Sequence, residues 1–304
     1  MTLDLILDMT PETMCMTAQS ANSLALETGI LYSLPAVVEQ LHSVLNSPYA
    51  THAEIGEVII HDPALTARAL ERAHAQQGVE PRSIDTVSGA LAVLRRDALQ
   101  ALAAETPVTQ RFGGIAADRV DMNRFWMNSM ACGIAARSLA FRCRVFHTEP
   151  FFVAGFLHKI GRLAFYSSCP EQYSEVLNRT EPDEDALNRE EFRVFGFNHA
   201  RLGAELLRRY KVPERLCMTI AHYLAPGQAR RFRRSAALVH VASALAAEIE
   251  PSVNLDGDGY HAGLGFEKGA WELLGLPLTE LEPVLKETFA ETIRVFDQLL
   301  PSRP

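Results

Sequence analysis

Thr51-His52-Ala53-Glu54-Ile55-Gly56-Glu57-Val58-Ile59-Ile60-His61-Asp62-Pro63-Ala64-Leu65-Thr66-Ala67-Arg68-Ala69-Leu70 places two helix starts in close succession. Thr51 fits an N-cap and Glu54 follows three residues later, the spacing at which each side chain bonds the other's free backbone N–H. Ile55, Val58 and Ile59 then fall on one helical face. His61-Asp62-Pro63 stops that helix and begins another. Asp62 is suited to capping, and Pro63 suits a first turn where its missing N–H costs little. Leu65, Ala69 and Leu70 continue at helical spacing.

The same punctuation extends in both directions. Upstream, Leu34-Pro35 opens a pattern through Leu41, Val44 and Leu45 that Asn46-Ser47-Pro48 closes. Downstream, Ser83-Ile84-Asp85 precedes a helix over Val87 to Leu94, and Asp97 starts another to Ala104. Arg111 to Asp121, with Gly113-Gly114, reads as a loop. Longer patterns follow at Met122 to Phe141, Glu149 to Phe165, Asn198 to Tyr210, Pro213 to Tyr223 and Ala236 to Ile249. A glycine-rich loop from Pro251 to Gly269 leads to Trp271 to Leu274 and Thr279 to Leu300. No run alternates with the period of a half-buried strand, so the predicted class is all-α.

The 304 residues, 48% of them apolar, suffice for one large domain or two lobes with real cores. No stretch approaches the roughly 18 to 20 apolar residues of a membrane span. The first ten residues carry Asp4 and Asp8 and no basic residue, unlike a secretory signal. Cys15, Cys132, Cys143, Cys169 and Cys217 are scattered without a CxxC pair, the usage of reduced thiols in a reducing compartment. A cytoplasmic protein is expected. The net charge of −8 disfavours general nucleic-acid binding, which relies on neutralising phosphates.

Three histidines have notable settings: His158 in Phe156-Leu157-His158-Lys159-Ile160-Gly161, His199 in Gly196-Phe197-Asn198-His199-Ala200-Arg201-Leu202-Gly203, and His222 in Ile220-Ala221-His222-Tyr223. Gly203, one turn beyond His199, leaves room for another chain to approach that face. Each histidine alone also fits an ordinary core or surface residue.

The chain resembles the HDOD family, a variant branch of the HD phosphohydrolase superfamily. The resemblance rests on Leu34-Pro35, on Ile59 to Arg68 with its Asp-Pro-x-Leu-Thr element, and on Ser83-Ile84-Asp85 with Ala90 and Leu94. It continues through Phe125-Trp126, Phe156 to Leu163, Gly196 to Gly203 and Leu238 to Ala242. It implies an extension over residues 1–21, an HDOD domain over 22–250 and a C-terminal loop with helices over 251–304. Within the domain it implies a first helical lobe at 22–115 and an HD-like helical bundle at 116–250. Residues 1–21 are too short for a further signalling domain, so a stand-alone module is expected.

Carried over position by position, the superfamily's first metal-binding histidine falls on Asn128, its His-Asp pair on His158-Lys159 and its later aspartate on Ser243. His199 and His222 match additional histidines of metal-binding relatives. A two-metal hydrolytic site needs carboxylates to neutralise the dications. A Lys159 ammonium at ~4 Å would instead oppose each unit of metal charge by about 4 kcal/mol in an effective dielectric of ~20. Three histidines could still hold one zinc. Lys159 has two open orientations: into the old cavity, where it would attract an anion such as a phosphate, or out to solvent. Arg230-Arg231-Phe232-Arg233-Arg234 could add guanidinium donors to such a pocket, and equally fits a solvated basic turn.

Asn254-x-Asp256-x-Asp258-Gly259 begins like a calcium loop, but Gly265 occupies the position of the bidentate glutamate. No GxSxG turn or phosphate-cradling glycine loop is present. The resemblance therefore implies a non-catalytic signal-transduction module without a cofactor, binding a signalling protein or a small anionic ligand through a candidate pocket of Asn128, His158, Lys159, His199 and His222. The alternative is a metal-dependent phosphohydrolase or cyclic-nucleotide phosphodiesterase. A third reading, a nucleic-acid-associated protein using Arg230 to Arg234, runs against the acidic net charge.

Overall fold

A computed structural model of the chain describes residues 20–28, 31–76, 84–109, 113, 115–116, 119–180, 184–249 and 265–299. Cys15, most of the extension over residues 1–21 and the Asn254–Gly259 loop lie outside them. The described residues contain no strand, only one isolated parallel bridge between Ser33 and Val108. The all-α class is correct. Among these residues no helix is long and apolar enough to cross a membrane.

The helices are α1 (Ala21–Glu27), α2 (Pro35–Asn46), α3 (His52–Ile59), α4 (Pro63–Gln76), α5 (Val87–Leu91), α6 (Arg96–Glu105), α7 (Met122–Arg142) and α8 (Glu149–Phe156). They continue as α9 (Ile160–Ser168), α10 (Pro170–Arg179), α11 (Glu184–Phe195), α12 (His199–Arg209), α13 (Glu214–His222), α14 (Arg233–Ala247), α15 (Lys268–Leu274) and α16 (Leu281–Leu299).

The punctuation works as its chemistry requires. Thr51 and Glu54 form the complete capping box at α3, and Pro35 opens α2. Asp62 caps α4 by accepting the Leu65 N–H at 2.8 Å. Asp62 also reaches much further. The same oxygen accepts the Ser33 hydroxyl at 2.8 Å, and the second accepts the Leu34 N–H and the Trp126 Nε1–H, each at 3.0 Å. One fully buried carboxylate thus fixes the starts of α2 and α4 to the side of α7.

α7 is the structural axis of the second half. It buries Phe125, Trp126, Met130, Ile134 and Leu139 among others, and packs against α8, α14 and α16. α12 packs on α9, α13 and α1. The contacts of α1 are therefore with the second half of the chain. Arg209 of α12 donates to the carbonyls of Ala25 and Thr28 at 2.9 and 2.8 Å, satisfying acceptors that the end of α1 leaves free. One continuous cluster of buried apolar side chains runs from Ala21 to Val295.

Three departures from the expected helices need correction. The single helix expected from Glu149 to Phe165 is two, interrupted by turns at Leu157, His158 and Lys159. The helices α10 and α11 had no counterpart in the apolar pattern. The α5 helix is also shorter than Val87 to Leu94 and ends at Leu91.

Candidate functional site

The interruption between α8 and α9 builds the site, because it turns His158 and Lys159 inward at a point where α12 crosses. That crossing is very close. A Cβ on Gly161 would lie 2.0 Å from the His199 carbonyl oxygen, and one on Gly203 would lie 3.1 Å from the Gly161 nitrogen. Gly203 does leave room for another segment, and that segment is α9. His158 and His199 are consequently both buried.

His158 Nδ1 lies 2.6 Å from the Gly155 carbonyl oxygen. A carbonyl only accepts, so Nδ1 carries the proton and Nε2 presents a lone pair. That Nε2 is buried and accepts no hydrogen bond. His199 Nδ1 lies 2.7 Å from Glu191 Oε2, which also accepts the His199 backbone N–H at 2.8 Å. With Nδ1 donating to the carboxylate, His199 Nε2 accepts from the Tyr223 hydroxyl at 2.6 Å. The Tyr223 ring meets both imidazoles, at centroid distances of 5.2 Å to His158 and 5.9 Å to His199. Glu191 Oε1 accepts the Tyr173 hydroxyl at 2.6 Å.

Burial first, and then the neighbouring Lys159 ammonium, push the His158 pKa well below that of free histidine. Burial also lowers that of His199, against the opposing pull of Glu191. Burial works against the Glu191 carboxylate, but His199 and Arg162 outweigh it and keep the group below its usual range. Both imidazoles are neutral at pH 7.

Beside them lies a second network. Lys159 Nζ donates to Asn128 Oδ1 at 2.8 Å and to Glu184 Oε1 at 2.7 Å. Arg162 donates to the same carboxylate through both terminal nitrogens, at 3.1 Å to Oε1 and 2.5 Å to Oε2. Lys159 thus points inward and not out to solvent, and the Glu184 carboxylate holds it there. Burial lowers its pKa and Glu184 opposes that. For Glu184, burial is outweighed by Arg162 and Lys159, which hold the carboxyl well below the ordinary range. Lys159, Arg162, Asn128 and Glu184 line a cleft of about 440 Å³ together with Arg119 and Arg124.

The structure thus brings Asn128 to Lys159, and His158 to His199 through Tyr223. His222 takes no part in these bonds: it is half-buried at the end of α13, and the next residue, Tyr223, enters the cluster instead. Ser243 is half-buried on α14, whose Ala246, Ala247 and Ile249 border the cleft. Arg230 to Arg234 do not line it; the Arg231 guanidinium stacks on Phe232, and Arg234 donates to the Leu274 carbonyl. Sequence reasoning missed Arg162, Glu184, Glu191 and Tyr223. A usable signal was Lys159 and Arg162 inside an otherwise apolar stretch, since two buried cations demand buried acceptors.

A model of the HDOD domain matches residues 31–226, well over half of the chain. The chain belongs to the HDOD family. A comparison with curated proteins gives no match. Among solved structures, this HDOD protein is similar to the MmoQ response regulator from Methylococcus capsulatus, with 23% identity and a TM-score of 0.64 over 84% of this chain and 98% of that one. It is similar to a virulence factor from Campylobacter jejuni, with 17% identity and a TM-score of 0.64 over 94% and 99%. A third is an HDOD domain protein of unknown function from Geobacter sulfurreducens, with 20% identity and a TM-score of 0.52 over 92% and 97%. These likenesses show a shared fold. Among the described residues, no three His, Cys, Asp or Glu side chains gather as a metal-binding group.

Proposed function

We propose that this HDOD protein is a cytoplasmic, non-catalytic signal-transduction module that acts by binding a protein partner or a small anion, with the Lys159 cleft as its ligand site. One observation carries the reading. The Lys159 ammonium lies 2.8 Å from Asn128 and 2.7 Å from Glu184, so a fixed positive charge stands where the superfamily's metal ligands are carried over. A dication beside it would meet repulsion. Among the described residues, Glu184 and Glu191 are the carboxylates bonded to this cluster, and both are engaged, one by Lys159 and Arg162 and the other by His199 and Tyr173. These residues fit a charge-neutral internal network better than a metal with a bound water. The four cysteines among the described residues are free, which agrees with a reducing compartment.

The enzymatic alternative has one observation in its favour. A histidine that donates Nδ1–H to a carboxylate or carbonyl, and turns its Nε2 lone pair inward, has the arrangement of a metal ligand; His158 has it with an open lone pair, whereas that of His199 accepts from Tyr223. Elemental analysis of the purified chain, with phosphomonoester and cyclic-nucleotide assays in added zinc or manganese, separates the readings. The module reading expects well under one metal per chain and no turnover. About one transition metal per chain, with turnover lost in His199→Ala, would overturn it.

A further inference from the structure

We propose that Glu184 is a built-in occupant of an oxyanion pocket, and that a phosphate-type dianion binds this chain by taking its place on Lys159 and Arg162. The inference rests on the reading of the Lys159 cleft as a ligand site and adds the ligand's class and the device that controls its entry.

The donors around Glu184 have the form of an oxyanion site. Arg162 presents two terminal nitrogens to the two carboxylate oxygens, and Lys159 adds a third donor to one of them. A planar two-pronged guanidinium with an ammonium beside it suits phosphate as well as carboxylate. The Nε–H of Arg162 is buried without a hydrogen bond, since Glu191 Oε1 lies 3.7 Å away. That leaves one donor still to be satisfied.

Exposure decides which partner can leave. The Lys159 and Arg162 side chains are each 7% exposed, whereas that of Glu184 is 44% exposed. The cations form the floor and cannot remain there without a counter-charge. The carboxylate reaches them from a different helix and keeps much of its surface in water. It is therefore the exchangeable member of the cluster.

The rest of the cleft favours an anion. Among the described residues, its charged lining is Arg119, which donates to the Leu177 carbonyl, with Arg124, Lys159 and Arg162, against Asp121 and Glu184. Asp121 is occupied in capping α7, accepting the backbone N–H groups of Asn123 and Arg124. With Glu184 displaced, the Lys159 ammonium and the two terminal nitrogens of Arg162 would lose the carboxylate they bond, in a chain whose overall charge is −8. A volume of about 440 Å³ is that of a small-molecule site.

An internal competitor weakens the apparent affinity of an external ligand by the fraction of time the site is free. Inorganic phosphate and adenosine monophosphate, titrated separately by calorimetry into the full chain, test this. In wild type, weak saturable binding is expected. In Glu184→Gln, affinity should rise by about tenfold or more. In Lys159→Met and in the Lys159→Met/Glu184→Gln double variant it should be lost. The tighter of the two ligands names the source, free phosphate or a phosphate ester. Equal affinity in wild type and Glu184→Gln, or equal affinity with and without Lys159, overturns the proposal. If Glu184→Gln does not fold, the comparison of wild type with Lys159→Met still decides, because undiminished phosphate binding without Lys159 refutes the pocket. Metal content and turnover test the non-catalytic reading separately, so the two can fail independently.

Discussion

His199 enters the core as a neutral imidazole because burial outweighs the pull of Glu191, which accepts its Nδ1–H, while the Tyr223 hydroxyl donates to its Nε2 lone pair. For His158 burial acts in the same direction, and there the adjacent Lys159 ammonium adds to it. Both folded-state pKa values lie below the free value of 6.5. Below pH 6.5 the unfolded chain therefore takes up protons that the folded chain refuses. Stability present above that pH is lost as pH falls, by up to about 1.4 kcal/mol per pH unit for each histidine. Glu184 and Glu191, whose pKa values are depressed from 4.5, extend the loss to more acidic pH. Urea titrations at pH 7.5 and 5.5 should show the decline, and His158→Gln should make it shallower by as much as one proton. A slope unchanged in that variant would refute the assignment. Asp62 gives a prediction of the opposite kind. Each of its oxygens accepts two buried donors. Asp62→Ala leaves all four unpaired and should cost at least about 3 kcal/mol in a denaturant titration. Asp62→Asn keeps one oxygen and should cost less. Equal losses would mean that cavity formation, and not hydrogen bonding, sets the cost.

At the scale of helices, legibility followed what each one buries. Starts were readable where a cap or a proline adjoined an apolar period, as at Thr51, Asp62 and Pro35, but not at Pro170, where no such period followed. The helix α11 was not readable because its one fully buried residue is Glu191. An apolar period cannot report a helix that faces the core with a carboxylate. For the same reason the site was only half legible: Lys159 stood out, but its partner Glu184 lay in a segment with no apolar pattern. The break at Leu157 to Lys159 was hidden by apolar residues on both sides, and its cause is tertiary. It allows α9 to lie against α12 at Gly161 and Gly203. Gly161→Ala would place a methyl against the His199 carbonyl and the Gly203 nitrogen, backbone atoms that cannot swing aside. The expected destabilisation is at the upper end of the roughly 1 to 3 kcal/mol typical of overpacking. Gly203→Ala, whose nearest contacts are 3.1 Å away, should cost less. Thermal melts of both variants test the order; the reverse order would mean that the crossing is looser than described.

For the molecule as a whole, the question is whether the two halves unfold together. The continuous buried cluster argues that they do. So do the polar ties between them: Asp62 to Trp126 in the interior, Arg209 to the end of α1, and the Ser88–Glu149 and Asp85–Arg215 pairs nearer the surface. The surface pairs add little, since exposed ion pairs typically contribute under about 1 kcal/mol. The buried tie has the larger effect, because breaking it strands a carboxylate oxygen that has lost one of its donors. Scanning calorimetry should therefore show a single transition with matching calorimetric and van't Hoff enthalpies. Trp126→Phe removes the indole N–H while keeping an aromatic ring in the core. It should lower the midpoint of that transition without dividing it, because the apolar contacts between the halves remain. Two resolved transitions in the wild-type chain would show instead that the halves fold independently. In that case a ligand on Lys159 and Arg162 would stabilise only the second half. If the transition is single, phosphate should raise the one midpoint for the whole molecule, by mass action on the folded state, and occupancy of the cleft would be felt as far away as α2 and α3.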